Sequence, residues 1–102
     1  MEDLELLNVF HAFWDAFPSP VRLIRRDRMV LAVNKAAASL GQRAGVCCAA
    51  EPPAARHVGC LAQKALSSGQ AQTDCPGGGK IRFWIPISGR DDVYIHFSIL
   101  PQ

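Results

Sequence analysis

The chain has 102 residues, of which 49% are hydrophobic and 20% are charged. This length suits one domain with a single core, and the hydrophobic content excludes an intrinsically disordered chain. The net charge of +2 does not favour nucleic-acid binding, because the densest basic cluster, Arg22 to Arg28, is followed by no aromatic platform for base stacking.

The first predicted element is an amphipathic helix over residues 2–17. At 100° per residue its apolar side chains fall within a stripe about 160° wide, and polar residues occupy the other side. Pro18 and Pro20 end the helix. The stripe is wider than one packing surface needs, so we expect part of it to contact a second chain. Its members are Leu6, Leu7, Val9, Phe10, Phe13, Trp14 and Phe17.

Two short strands are predicted next, VRLI at 21–24 and MVLAV at 29–33, as a hairpin around a charged turn. Asn34 follows the second strand and is expected to cap a short helix, KAAASLG, which ends at Gly41. The two adjacent prolines within residues 42–57 exclude a regular helix there.

A further helix is predicted from Val58 to Gly69, with Leu61 and Leu66 on its apolar face. Two long strands, IRFWIPI and VYIHFSI, form a hairpin around SGRDD near the end of the chain. Alternation places the isoleucines, valine and phenylalanines of both strands on one face. The opposite face carries Arg82, Trp84, Tyr94 and His96, and we expect the N-terminal helix to cover it.

This order of elements resembles a PAS domain. The passage FPSPVRLIRRDRMVLAVNKAAASLG is similar to the opening of that family, and GCLAQKALSSGQ is similar to the helix before its last three strands. The resemblance implies an α+β fold with a five-stranded antiparallel sheet, helices on one face and an amphipathic N-terminal helix. Residues 1–17 would form that dimerisation helix and residues 18–102 the core domain.

PAS domains are sensory and dimerisation modules of bacterial signalling proteins such as histidine kinases and transcription regulators. The resemblance therefore implies a homodimer, a small ligand or cofactor in a cavity, and a signal passed through dimer packing. The expected pocket is lined by Ile81, Phe83, Ile95, Phe97 and Leu61. The expected dimer interface comprises Leu6, Phe10, Phe13, Trp14, Phe17, Trp84 and Tyr94.

Three of the four cysteines lie near a histidine in AGVCCAAEPPAARHVGC. Some PAS sequences have a cysteine in this loop and a C-x-x-C at the following helix, a pattern that Cys48 and His57-x-x-Cys60 resemble with a histidine in place of one thiol. Together with Cys75 they form a candidate set for zinc or an iron–sulfur cluster. Strong paired C-x-x-C spacing is absent, so packed thiols are the preferred interpretation. A metal-binding redox sensor and a thiol switch remain alternatives.

The sequence shows no nucleophile with a base and an orienting residue at a recognisable spacing, so we expect no enzymatic activity. It has no run of the roughly 18 to 20 apolar residues that span a membrane, and its start, MEDLELL, lacks the basic region of a signal peptide. Four cysteines without secretory features favour reduced thiols or metal ligands over disulfides. The sequence thus predicts a cytoplasmic domain that binds neither membrane nor nucleic acid.

Overall fold

The computed structural model describes residues 1–48 and 59–100. Its elements are α1 (Asp3–Trp14), β1 (Val21–Arg25), β2 (Val30–Val33), α2 (Lys35–Ser39), α3 (Ala62–Ser68), β3 (Gln72–Gly77), β4 (Lys80–Ile87) and β5 (Arg90–Ile99). The strands form one sheet in the order β2-β1-β5-β4-β3, and every neighbouring pair is antiparallel. The predicted α+β class with a five-stranded antiparallel sheet is confirmed.

Helix α1 is shorter than the predicted span of 2–17 and ends at Trp14. It buries Leu6 and Phe10 against the sheet face that carries Val21, Leu23 and the Val/Ile/Phe side of β5. Three or four residues separate successive apolar positions of the helix, so they lie on one side of it. None of the helices within residues 1–48 and 59–100 is long and apolar enough to cross a membrane.

Helix α3 packs on the other face of the sheet. Its residues Ala62, Ala65 and Leu66 contact a cluster that contains Trp84 and Tyr94. Val58, where we predicted its start, lies outside the described residues, and the helix begins later than predicted, at Ala62, whereas the predicted end is correct. Gly69 follows the last helical residue with a φ of 68°, a left-handed conformation that glycine adopts without steric cost.

The predicted assignment of helices to sheet faces is wrong. We expected α1 to cover Arg82, Trp84, Tyr94 and His96, yet it covers the aliphatic face, and α3 covers the aromatic one. Helices therefore lie on both faces of the sheet rather than on one. Alternation along a strand separates two faces, but it does not state which helix packs on which.

Asn34 joins α1, β1 and α2, and its side chain is completely buried. Its Oδ1 accepts hydrogen bonds from the backbone N–H of Ala37 at 3.0 Å, as a helix cap, and of Val21 at 2.9 Å. Its Nδ2 donates to the carbonyls of Trp14 and Ser19 at 2.9 and 3.0 Å. The cap predicted at Asn34 is confirmed, and the same side chain also holds the end of α1 against the sheet.

Candidate ligand-binding cavity

A cavity of about 250 Å³ lies on the α3 side of the sheet. This volume is slightly below the range of about 300 to 1,000 Å³ that is typical of small-molecule sites, so it suits a compact ligand. Strands β1, β4 and β5 supply Arg22, Lys80, Arg82, Trp84, Tyr94, His96, Phe97 and Ser98 to its wall. Pro20, Gln42, Cys48, Cys60 and Leu100 complete the wall.

Three of the wall residues form a row across the sheet. The register places Arg22 opposite His96, and His96 opposite Trp84. Residues directly opposite each other in antiparallel strands project from the same face, so the three side chains are neighbours. This row brings a guanidinium, an imidazole and an indole together.

Arg22 is buried, with an exposed fraction of only 7%. Within the described part of the chain, no hydrogen bond or ion pair of its guanidinium is present. A buried charge without a partner is costly, and such groups are normally paired with an opposite charge. Arg22 therefore gives the cavity a cationic group that a bound anion could neutralise.

Arg82 is also buried but has a carboxylate partner. Its Nε donates to Oδ1 of Asp74 at 2.8 Å, and its Nη2 donates to the other carboxylate oxygen. This bidentate hydrogen bonding raises the pKa of Arg82 and lowers the pKa of Asp74. The guanidinium also lies 5.1 Å from the centre of the Trp84 ring. Arg82 thus contributes a positive charge that the protein itself balances.

His96 links the cavity wall to the opposite face of the sheet. Its ring stacks on Trp84 with centroids 5.0 Å apart and an interplanar angle of 16°. Its Nδ1 donates a hydrogen bond to the backbone carbonyl of Phe83 at 2.7 Å. The carbonyl can only accept, so Nδ1 carries a proton, and the ring orientation is defined by this bond.

Trp84 and Tyr94 form the aromatic part of the wall and are each 1% exposed. Burial raises the pKa of Tyr94, and the positive charge of Arg28 opposes this shift only partly. The Tyr94 hydroxyl therefore stays protonated at neutral pH. The wall combines aromatic surface with cations, which suits a ligand with an apolar body and an anionic group.

Gln42 adds an unsatisfied acceptor to the wall. Its Oε1 is buried and has no hydrogen-bond partner among the described residues. Buried polar atoms are almost always paired with protein groups or water, so an orphan acceptor on a cavity wall indicates a place for a donor from a ligand or a water molecule.

Most of the residues predicted to line a pocket do not line the observed cavity. Ile95 and Phe97 belong to the core under α1, and Phe83 packs against that core. Ile81 is exposed, and Leu61 packs against the α3-side cluster. Of the five, Phe97 alone lines the cavity. The expected pocket was assigned to the aliphatic face, but α1 packs its apolar side chains onto that face.

The predicted dimer-interface residues divide into three groups. Trp84 and Tyr94 are buried under α3, and Leu6 and Phe10 are buried under α1, so none of the four can contact a second chain in this conformation. Trp14 and Phe17 are partly buried against Phe97, with ring centroids 5.4 Å away in each case. Phe13 is 76% exposed and remains available for contact with another chain.

The predicted metal ligands are only partly brought together. Cys48 is buried and Cys60 is exposed, and both line the cavity. Cys75 is exposed on β3 and is absent from the cavity wall, while His57 lies outside the described residues. Within residues 1–48 and 59–100, no group of three or more His, Cys, Asp or Glu side chains could hold a metal ion.

Sequence reasoning missed Arg22 and Gln42 as site residues. Arg22 was considered only as part of the basic cluster Arg22 to Arg28, although it stands at the second position of an apolar strand, where alternation gives it the face opposite Val21 and Leu23. This alternation is a feature of the sequence, and it could have indicated that Arg22 lies on the aromatic face of the sheet. No local pattern identified Gln42, because its position at the cavity depends on how residues 40–48 pass beside β2.

Searches against protein-family models, curated proteins and solved structures found no match for this chain. The case for its function therefore depends on its own residues and their arrangement.

Proposed function

We propose that this chain is a PAS-like sensory and dimerisation module of a signal-transduction protein, such as a histidine kinase or a transcription regulator. It binds a small ligand in the cavity on the α3 side of the sheet. Binding changes how α1 packs on the sheet and on a partner chain. The observation that carries the proposal is the buried Arg22 on the cavity wall, whose guanidinium has no hydrogen bond or ion pair in the described part of the chain.

The sheet provides a direct route from the cavity to α1. Phe83 and Phe97 are opposite each other on β4 and β5, and their rings stack with centroids 4.8 Å apart. The next pair along the same two strands is Trp84 and His96, on the cavity side. Phe97 contacts Trp14 at the end of α1. A ligand that shifts Trp84 or His96 would therefore also shift the support of α1.

Helix α1 supports the dimerisation part of the proposal. Val9 and Phe13 are exposed and four residues apart, so they are neighbours on one side of the helix. This side continues the buried stripe of Leu6 and Phe10. Association through it would remove apolar surface from water, which is the main driving force in protein association.

Sedimentation of three proteins at tens of micromolar tests the proposal. We expect the wild type to be a dimer and Phe13→Glu to be a monomer, because the substitution places a charge in the apolar contact. Leu40→Glu is the matched control, since Leu40 is 68% exposed but lies after α2, and it should remain a dimer. A monomeric wild type, or equal dissociation of both variants, would rule the dimerisation mechanism out.

A metal- or iron–sulfur-binding redox sensor is a second candidate, favoured by the presence of both Cys48 and Cys60 on the cavity wall. Metal analysis and an ultraviolet–visible spectrum of anaerobically purified protein test it. Stoichiometric metal that is lost in Cys60→Ser would support it, and a colourless, metal-free protein would refute it.

A further inference from the structure

We propose that the cavity binds a small planar organic carboxylate whose carboxylate group is held by Arg22. This inference deepens the proposed function, since it rests on the cavity being the sensory site. It is drawn from the charge, shape and unsatisfied groups of the wall.

The charge of the wall requires an anion. The described wall residues include the basic side chains of Arg22, Lys80 and Arg82 and no carboxylate. Asp74 neutralises Arg82 from outside the wall, whereas Arg22 has no such partner in the described part of the chain. Pairing Arg22 with an anion is favourable, because the side chain is only 7% exposed and an ion pair there is screened by water less than a pair at an exposed site.

A carboxylate fits Arg22 better than other anions do. The guanidinium presents parallel N–H donors that match the two oxygens of one carboxylate. A phosphate brings a higher charge and more oxygens, all of which need donors. A guanidinium with no partner in the described part of the chain suits a group with two oxygens and a single charge.

The other wall residues indicate the size and the polar groups of the ligand beyond its carboxylate. Trp84 and Tyr94 offer aromatic surface, and the volume of about 250 Å³ admits a single small ring rather than a large cofactor. The orphan Oε1 of Gln42 accepts a hydrogen bond, so a ligand with a hydroxyl group gains an additional contact. An aromatic monocarboxylate with a hydroxyl group has all of these properties.

Isothermal titration calorimetry with four probes tests the proposal: para-hydroxybenzoate, its neutral analogue para-hydroxybenzamide, benzoate and inorganic phosphate. We expect para-hydroxybenzoate to bind the wild type with at least roughly tenfold higher affinity than the amide, the ratio typical of a charged hydrogen bond. Benzoate should bind between them, and phosphate should bind weakly. Equal affinity for acid and amide, a preference for phosphate, or no binding of either benzoate would overturn the proposal.

The Arg22→Gln variant tests whether Arg22 holds the carboxylate of the ligand. It removes the charge, retains hydrogen-bonding groups and should lower the affinity for para-hydroxybenzoate at least roughly tenfold. Arg43→Gln is the matched control, because Arg43 is an exposed arginine outside the wall, and its affinity should equal that of the wild type. If both variants bind like the wild type, Arg22 does not hold the ligand.

Thermal unfolding without a probe separates a binding role from a structural one. A ligand-binding Arg22 is an uncompensated buried charge, so Arg22→Gln should unfold at the same temperature as the wild type or higher. A large loss of thermal stability would show that Arg22 has a structural partner and would overturn the assignment. Gln42→Leu gives an independent check, since it should remove the difference in affinity between para-hydroxybenzoate and benzoate.

The outcomes for this inference and for the proposed function are distinguishable. Carboxylate binding through Arg22 in a protein that stays monomeric would support the ligand class and refute signalling through a dimer. A ligand-responsive dimer that prefers the neutral amide would support the sensory module and refute the carboxylate assignment.

Discussion

His96 Nδ1 donates a hydrogen bond to the backbone carbonyl of Phe83 at 2.7 Å and thereby connects the two faces of the sheet. The imidazole stacks on Trp84 in the cavity, whereas the Phe83 ring stacks on Phe97 under α1. Backbone groups in a sheet are constrained by their neighbours, so a displaced imidazole moves a strand as well as a side chain. This bond joins the cavity wall to Phe83, which packs against the core under α1.

His96→Phe tests this link. The new ring can still stack on Trp84 but cannot donate to Phe83, and we expect the free energy of unfolding to fall by about 1 kcal/mol. Urea denaturation measures this change. His11→Phe is the control, because the ion pair of His11 with Asp15 is exposed and a phenyl ring can keep the edge contact with Phe10, so the loss should be below about 0.5 kcal/mol. Equal losses in the two variants would show that the His96 bond has no special importance.

Asn34→Ala should be strongly destabilising. The change removes the cap of α2, leaves the buried N–H of Val21 without its partner, and removes the donor to the carbonyls of Trp14 and Ser19. We expect a loss of about 3 kcal/mol in urea denaturation, since each unsatisfied buried group costs about 1 to 3 kcal/mol. Asn8→Ala, at an exposed position of α1, should change stability by less than about 0.5 kcal/mol. A much smaller loss of stability in Asn34→Ala would mean that water takes over the hydrogen bonds of the Asn34 amide.

Asp74→Asn should reduce the dependence of stability on acidic pH. Hydrogen bonding to Arg82 lowers the pKa of Asp74 below its ordinary value of 3.8. A depressed pKa in the folded protein stabilises it at pH values above 3.8, and this contribution is lost as the pH falls through the folded pKa. Wild-type protein should therefore lose more stability below that pH than Asp74→Asn does. Parallel curves of unfolding free energy against pH for the two proteins would contradict the assigned ion pair.

Gly59→Ala and Gly69→Ala form a matched pair. Both glycines have left-handed backbones, with φ of 73° and 68°, so an alanine at either position costs about 1 to 2 kcal/mol. A Cβ at Gly59 would also come within 3.2 Å of Nη2 of Arg82, whereas no heavy atom lies within 4 Å at Gly69. We expect Gly59→Ala to be the more destabilising variant in thermal denaturation. Equal losses of thermal stability in the two variants would show that Arg82 moves away from the new Cβ at no cost in free energy.

The residue pattern by itself determined the three helices, four of the five strands and several of their ends, whereas β3 was implied only by the resemblance to a PAS domain. The alternation in β4 and β5, the cap at Asn34 and the stop at Gly69 are local features, because each depends on the geometry of a few consecutive residues. These predictions agree with the structure for this reason. The separation of Arg82, Trp84, Tyr94 and His96 from the aliphatic face was likewise correct.

Only the tertiary structure decided which helix covers which face. The stripe of α1 could pack on either face of the sheet, and the choice of the aliphatic face left the aromatic side to α3 and the cavity. The burial of Arg22 follows from the position of β1 between β2 and β5, a pairing between segments distant in sequence. Strand pairing between distant segments therefore buries Arg22 on the cavity wall, where it is the candidate residue for binding the carboxylate of a ligand.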